Sequence, residues 1–413
     1  MASNVTDVIA SSDAYVSFKI AVDVYVVSLL SVFGISGNVI SILVLGRDNS
    51  VKRTTGFLLQ MLALADVLYL VTCLFFQTIQ TIADVTDWSP GLKYYYPWIV
   101  PFIWPLASIA QTAAVWLVVI VTADRFVAIC KPLHAPQYST TSRARKAVVL
   151  VWILSVVYNV PRFFERTTRI QTDPDAANAT YPKVEKTPLW RDAVYFLVYK
   201  TCLFFIVRYL IPLSALAFFN TRLIQAIRES QKIREKSVDG YRKERYTLTL
   251  VVVVIVFALC ETPDFLLRVW FSLSEYAFWI PSDITVLRYM NAVTNLLLTI
   301  NSCVNFVIYC FLGQKFRRIL RQMICGQTPG ATSRLRLQTI RNGEQTELAD
   351  EVSTLVGPHR DPSAFFVRSC VCVCVCLCVC VCVCGRVLLM SSTAASASSR
   401  HLSVTGLMLS SNR

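Results

Sequence analysis

Seven long apolar stretches constrain this sequence more than any other feature. Each is long enough to cross the hydrocarbon core of a bilayer as a helix, which takes about 17–25 residues. They cover residues 21–46, 56–83, 96–129, 147–164, 193–221, 246–273 and 284–311. Lipid offers no partner to backbone N–H and C=O groups, so each stretch is predicted to be a helix. Five internal prolines are predicted to kink these helices without ending them: Pro101, Pro105, Pro161, Pro212 and Pro263. The predicted fold class is an all-α membrane protein, a seven-transmembrane helix bundle.

The composition agrees with a membrane environment. Of the 413 residues, 55% are hydrophobic and 16% are charged, which is too apolar for an ordinary soluble protein. The net charge of +14 does not indicate nucleic-acid binding, because Lys and Arg lie mainly in short segments between the apolar stretches. We therefore expect membrane lipids, and no nucleic acid, among the partners.

The distribution of basic residues predicts the orientation. Lys and Arg are frequent after the first, third and fifth stretches, for example at Arg47, Arg143 and Arg228. By the positive-inside rule, these segments and the C-terminus are cytoplasmic and the N-terminus is extracellular. Asn4 and Asn178 begin glycosylation sequons in segments predicted to be outside. We expect a multi-pass protein of the plasma membrane.

Three regions follow from this interpretation: an extracellular tail at 1–20, a seven-transmembrane domain with a further helix at 21–325, and a disordered cytoplasmic tail at 326–413. Residues 313–321 carry apolar and basic side chains on opposite helical faces, which predicts an amphipathic juxtamembrane helix 8. Cys325 is either a palmitoylation site or an unmodified thiol. The low-complexity Val-Cys run at 370–384 is a lipidation or metal tract or, as we favour, a translated dinucleotide repeat.

Polar side chains inside the stretches are costly in lipid and are therefore candidates for function. Asp66 lies in the second stretch, and Asn38, Asn301, Ser302 and Asn305 lie at similar depth in the first and seventh. This set is a buried polar network that fixes helix packing, a sodium-responsive switch, or both. At the end of the third stretch, the Arg of Asp124-Arg125-Phe126 is a candidate switchable contact for a cytosolic partner.

Taken together, the motifs resemble those of rhodopsin-like (class A) G-protein-coupled receptors. In chain order they are Gly37-Asn38, Leu64-Ala65-Asp66, Asp124-Arg125-Phe126 for the family's D-R-Y, Trp152, Pro212, Pro263 and Asn305-Phe306-Val307-Ile308-Tyr309 for N-P-x-x-Y. The resemblance implies a receptor without enzyme activity that acts on a heterotrimeric G protein, with arrestin and receptor kinases as further partners. It implies a G-protein switch of Asp124, Arg125, Asn305 and Tyr309. No cofactor is expected other than a structural sodium ion, which the resemblance would place near Asn38, Asp66, Asn301, Ser302 and Asn305.

The sequence departs from this family pattern at several positions. Glu261 replaces the Trp of C-W-x-P, Phe306 replaces the Pro of N-P-x-x-Y, and Ala114 replaces a Ser of the sodium pocket. The change at Ala114 weakens the expectation of sodium. Neither the start of the third stretch, near Val100, nor residues 165–190 contain Cys, so the family's disulfide cannot form there. We expect that outer loop to be held by packing alone.

Local matches within the family indicate the ligand. Ala107 stands where amine receptors carry Asp, and Thr299 stands where visual pigments carry the retinal Lys. Three segments resemble the invertebrate FMRFamide-receptor group: Asn159-Val160-Pro161-Arg162-Phe163-Phe164-Glu165, Tyr209-Leu210-Ile211-Pro212-Leu213 and Asn301-Ser302-Cys303-Val304-Asn305-Phe306-Val307-Ile308-Tyr309-Cys310. This resemblance implies a short amidated neuropeptide.

The candidate ligand pocket contains Gln111, Arg208, Glu261, Asp264 and Arg268. Glu261 and Asp264 share one face of the sixth helix, and two carboxylates in a cavity would attract a guanidinium group of the ligand. Alternatively, Arg208 pairs with Glu261 and Arg268 pairs with Asp264. Five aromatic residues either line the same cavity or pack elsewhere: Trp98, Trp104, Tyr195, Tyr199 and Phe204.

Other function classes fit less well. An orphan or constitutively active receptor with a non-peptide ligand is the closest alternative. A transporter is less favoured, because internal repeats are not evident. A membrane enzyme or metal site needs a convergent cluster of side chains, whereas His134, His359 and His401 lie outside the apolar stretches.

Overall fold

The computed structural model describes residues 13–47, 53–85, 90–172, 180–233, 239–276 and 284–324. These residues lie in one compact unit, Met1–Gly326. Several predictions lie outside the described residues: the sequons at Asn4 and Asn178, the thiol of Cys325, and the tail at 326–413 with its Val-Cys run.

Long helices dominate the described part of the chain. They are α1 (Asp13–Gly46), α2 (Thr54–Asp84), α3 (Pro90–Cys130), α4 (Thr141–Asn159), α5 (Tyr195–Ile233), α6 (Asp239–Tyr276) and α7 (Ile284–Leu312). A shorter helix, α8 (Gln314–Ile324), follows α7, and one-turn helices occupy Ala135–Tyr138 and Pro188–Arg191. The predicted seven-helix architecture is confirmed.

By length and composition, six of the described helices are long and apolar enough to cross a membrane, and α6 is the seventh long helix. Its 38 residues suffice in length. However, Glu261, Asp264 and Arg268 fall within two of its turns. The sixth predicted span is therefore the most highly charged one, and those charges require partners inside the bundle.

Polar side chains of the bundle face inward and many large apolar side chains face outward. Asn38 and Asp66 are buried, whereas Leu29, Val157 and Leu259 are 72%, 62% and 65% exposed. Apolar surface of this extent is costly in water and suits lipid. The arrangement is that of a bundle whose solvent is a bilayer.

Helix α3 occupies the centre, since it contacts α2, α4 and α5. Helix α1 contacts α2 and α7, and α6 contacts α5 and α7. One buried apolar cluster joins α2, α3 and α4 through Leu62, Leu117 and Val148. A second cluster joins α3, α5 and α6 through Val115, Leu216 and Phe257.

The prolines act in two different ways. Pro101, Pro105 and Pro263 lie inside helices that continue through them, as predicted. Pro212 lies at the start of the regular part of α5, Ile211–Ile233, after wider π-type turns at Tyr195–Leu203 and Phe205–Leu210. Similar wide turns occupy Ile20–Val26 in α1 and Leu74–Ile79 in α2.

Pro161 contradicts the prediction that it bends a helix without ending it. Helix α4 ends at Asn159, and a 3₁₀ turn follows at Val160–Phe164. The Val160 N–H bonds to the carbonyl of Val157, only three residues back, and Pro161 has no N–H to continue the α pattern. The tighter turn therefore replaces the α-helix at this point.

A β-hairpin that was not predicted lies between α4 and α5. Strands β1 (Arg166–Thr172) and β2 (Thr180–Lys186) are antiparallel, with Arg166 opposite Lys186 and Thr172 opposite Thr180. The Thr168 hydroxyl donates to the Pro97 carbonyl at 2.6 Å. The expectation that packing alone holds this loop was incomplete, because this hydrogen bond also fastens it to α3. We call this end of the bundle the hairpin end.

Helices α1 and α7 approach closely at Gly37. A Cβ atom at this position would lie 2.5 Å from Cδ1 of Phe306, the residue that replaces the family's proline. The Phe306 ring also contacts the rings of Phe33 and Phe316, with centroids 6.1 and 6.2 Å away. Because Gly37 has no side chain, the Phe306 ring, which is bulkier than proline, can pack against α1 at this point.

We expect Gly37→Ala to lower the free energy of unfolding by about 1–3 kcal/mol, because the added methyl group overpacks the contact with Phe306. Thermal unfolding of the detergent-solubilised protein measures the effect. Gly56→Ala is the matched control, since its Cβ would lie 3.9 Å from the nearest atom, the Leu45 carbonyl oxygen. Equal losses of stability in the two variants would contradict the packing explanation.

Candidate functional site

A polar cavity lies within the bundle toward the hairpin end. Three of its lining residues belong to the predicted pocket: Gln111 of α3, Arg208 of α5 and Arg268 of α6. Trp104 of α3 and Arg162, which follows α4, also line it. Helices α2 and α7 supply Gln77 and Asn295, so five helices line this cavity, which we call the chamber.

The two predicted carboxylates form internal ion pairs. Arg208 Nη2 lies 3.3 Å from Glu261 Oε2, and both side chains are 2% exposed. Arg268 Nη2 lies 3.1 Å from Asp264 Oδ2, one helical turn away. Of the two alternatives that the sequence left open, the structure contains the internal pairing. Phe204 joins both pairs, since the Arg268 and Arg208 guanidinium carbons lie 4.1 and 5.2 Å from its ring centroid.

A third buried ion pair was missed by sequence reasoning. Glu165 is fully buried, and Lys200 Nζ lies 3.4 Å from its Oε2 atom. The Tyr195 hydroxyl donates to Glu165 Oε1 at 2.9 Å. Lys200 also lies 2.9 Å from the ring centroid of Trp190. The sequence did indicate such a pair, because Lys200 is a charged residue inside the fifth apolar stretch and needs a partner there.

Two further cations lie at or beside the cavity. Arg162 is 2% exposed, and its guanidinium carbon lies 5.8 Å from the ring centroid of Tyr199. Arg166 of β1 lies 5.2 and 5.7 Å from the ring centroids of Trp104 and Phe76. Burial lowers the pKa of the Arg166 guanidinium from its ordinary value, although Glu165 opposes this effect.

The predicted aromatic residues take different places. Trp104 lines the cavity. Tyr195 and Tyr199 stack on each other with centroids 5.0 Å apart, and Phe204 is buried between the guanidinium groups. Trp98 is 44% exposed, so its ring belongs largely to the outer surface of the bundle.

A second cavity contains the predicted polar network. Asp66, Asn301, Ser302 and Asn305 line it, and the Asn305 amide donates to Asp66 Oδ2 at 2.8 Å. The Asn38 amide donates to the carbonyls of Gly34 and Ser302 at 2.9 and 3.0 Å, which fastens α1 to α7. These bonds agree with a packing role.

Sodium binding at this second cavity stays a prediction. The carboxylate of Asp66 and the side-chain oxygens of Asn301 and Ser302 would hold the ion. Ala114 presents a methyl group to the same cavity, so the network is poorer in oxygen ligands there than the family pattern.

At the opposite end of the bundle, the carboxylate of Asp124 connects three elements. Its Oδ2 atom accepts a hydrogen bond from Thr55 of α2, and its Oδ1 atom accepts one from Ser139, after α3; both distances are 2.6 Å. Sequence reasoning placed Asp124 here but missed Thr55 and Ser139. Of the other predicted switch residues, Tyr309 contacts Phe316 of α8, with ring centroids 5.9 Å apart.

The comparison with known proteins agrees with this geometry. The family model "7 transmembrane receptor (rhodopsin family)" matches residues 37–309. The FMRFamide receptor of Drosophila melanogaster is 32% identical over 296 residues, covering 71% of this chain and 52% of that protein. The FMRFamide peptide receptor frpr-18 of Caenorhabditis elegans is 29% identical over 290 residues, covering 70% of this chain and 65% of that protein.

A vertebrate relative gives a similar result. Neuromedin-U receptor 2 of Mus musculus is 28% identical over 320 residues, covering 72% of this chain and 74% of that protein. The aligned region spans about half to two thirds of the length of the two invertebrate relatives. The family match includes both polar cavities and the Asp124 contacts, and it covers well over half of the sequence. The chain therefore belongs to the rhodopsin family of seven-transmembrane receptors.

Proposed function

We propose that this chain is a G-protein-coupled receptor that binds an extracellular neuropeptide and activates a heterotrimeric G protein. The peptide is short, amidated and FMRFamide-like. The observation that carries the proposal is the similarity, at 32% and 29% identity, to two proteins named as FMRFamide receptors. The chamber near the hairpin end supports it, because it combines buried charges with aromatic walls, as ligand pockets do.

The proposed orientation places the hairpin end outside the plasma membrane and the Asp124 end in the cytosol. The basic residues that follow α1, α3 and α5 support it. Asp124, Arg125, Asn305 and Tyr309 would then form the G-protein switch, with arrestin and receptor kinases acting on the same cytoplasmic side. The amphipathic α8 would lie against the inner leaflet.

Cells that express the full chain test the proposal. We expect a panel of short peptides ending in Arg-Phe-amide to change intracellular calcium or cyclic AMP, with at least one active at submicromolar concentration. The free-acid forms of the peptides show whether the terminal amide matters. If instead the cells signal without peptide and none of the peptides changes that signal, the result would support the constitutively active alternative.

A further inference from the structure

Four buried N–H groups in the chamber have no acceptor within the described part of the chain. They are Trp104 Nε1, Gln111 Nε2, Arg162 Nε and Arg208 Nε. All four residues line the same cavity. One buried acceptor of the lining, Gln77 Oε1, is also unsatisfied. Buried donors without partners are costly, so their concentration in one chamber indicates a ligand rich in acceptors.

The charges around the chamber also favour a ligand with a negative charge. Three basic side chains line it, Arg162, Arg208 and Arg268. Arg208 and Arg268 lie 3.3 and 3.1 Å from the carboxylates of Glu261 and Asp264, which balance their charges. The lining therefore has an excess of positive charge, carried by Arg162, which is 2% exposed.

A guanidinium group of a ligand is a poor occupant here. It offers only donors to a chamber whose unsatisfied groups are mostly donors, and it adds a positive charge to an existing excess. A carboxylate has no donor and about four lone-pair sites, which matches four N–H groups from four side chains. Its charge also balances part of the excess, and hydrogen bonds to charged groups are the stronger ones.

We propose that this chamber binds a carboxylate group of the extracellular ligand, held by Trp104, Gln111, Arg162 and Arg208. This inference rests on the proposed function, because it assigns the chemistry of the ligand at the receptor's own cavity. The carboxylate comes either from an acidic side chain of the peptide or from a free C-terminus. The Arg of an Arg-Phe-amide ligand consequently binds outside this chamber.

Matched peptides test the proposal in cells. In a series ending in Arg-Phe-amide, one Asp is moved along the peptide, and each member has an Asn counterpart. At one position we expect the Asp peptide to be about tenfold or more potent, the equivalent of one charged hydrogen bond. A free-acid peptide that exceeds its amide by a similar factor would place the terminal carboxylate in the chamber instead.

Variants of the receptor locate the effect. In Arg162→Gln and Gln111→Met, the ratio of Asp to Asn potency should fall to about twofold or less, because each loses a donor or the excess charge. Trp104→Phe removes the N–H group and keeps a smaller aromatic ring without changing the charge, so it serves where Arg162→Gln fails to reach the surface. Ser108→Ala is the control, since the Ser108 hydroxyl already donates to the Trp104 carbonyl, and it should keep the ratio. Equal potency of all Asp and Asn pairs, or a ratio unchanged in the three donor variants, would overturn the proposal.

A binding readout separates this proposal from the failure of peptide signalling. The purified receptor is heated with N-acetylaspartate amide or with N-acetylasparagine amide. Stabilisation by the first compound alone, lost in Gln111→Met, supports a carboxylate site even if no peptide signals. Identical behaviour of the two compounds counts against the site, whatever the cells report.

Discussion

Replacing Glu261 by Leu should destabilise the receptor by about 3–5 kcal/mol, because it leaves the Arg208 guanidinium buried without its carboxylate. Both side chains are 2% exposed, so water cannot compensate for the lost partner. Arg208→Met should cost a similar amount for the complementary reason. Thermal unfolding of the solubilised receptor, compared with wild type, measures both effects.

The double variant Arg208→Met and Glu261→Leu makes the prediction specific. Removing both charges also removes the cost of burying them, so the double variant should be nearly as stable as wild type. The control is Asp84→Asn, because the Lys19–Asp84 pair is 3.5 Å apart and the Asp84 side chain is 54% exposed. An exposed pair contributes about 1 kcal/mol or less. Additive losses in the double variant would show that Glu261 and Arg208 do not stabilise each other.

The fold was predictable where the signal was local. Twenty or so apolar residues in a row have no alternative to a helix in lipid, so all seven long helices were predicted from the sequence. The Arg268–Asp264 pair follows from helical spacing, since the two residues are one turn apart. The hairpin was missed, although β-branched Thr167, Thr168 and Ile170 are typical of a strand.

The site was less predictable because its contacts are distant in sequence. Arg208 and Glu261 are 53 residues apart, and Thr55 and Asp124 are 69 apart. Charge and depth indicated that Glu261 faces the interior. They could not decide whether its partner was a residue of the chain or a group of the ligand. That decision needed the positions of the side chains.

The internal pairs also change what the chamber selects. With Glu261 and Asp264 engaged by Arg208 and Arg268, the carboxylates predicted to attract a guanidinium are already neutralised. What remains toward the chamber is a set of N–H donors and the charge of Arg162. A site that looks acidic in the sequence of α6 is therefore a donor site in three dimensions.

Asp124→Asn should raise ligand-independent signalling, with an increase of about tenfold or more in the ratio of active to inactive receptor. The carboxylate accepts hydrogen bonds from Thr55 and Ser139, and so it connects α3 to α2 and to the segment after α3. An amide has one acceptor oxygen where the carboxylate has two, so at least one hydroxyl loses its acceptor, and any bond that remains lacks the charge of the carboxylate. Basal cyclic AMP or calcium, normalised to the amount of receptor at the cell surface, measures the change.

Two further variants separate the hydrogen bonds from the charge beside Arg125. Thr55→Val and Ser139→Ala each remove one donor and keep the carboxylate. If the connection between elements restrains the receptor, both variants reproduce part of the increase; if only the charge of Asp124 matters, neither does. Thr54→Ala is the control, because the Thr54 hydroxyl donates to the Ser139 carbonyl at 3.3 Å and does not contact Asp124 through a hydrogen bond in the described structure. If Asp124→Asn reaches the cell surface normally and its basal signalling stays at the wild-type level, then the loss of a charged hydrogen bond has not favoured the active state. That result would exclude a restraining role for this carboxylate.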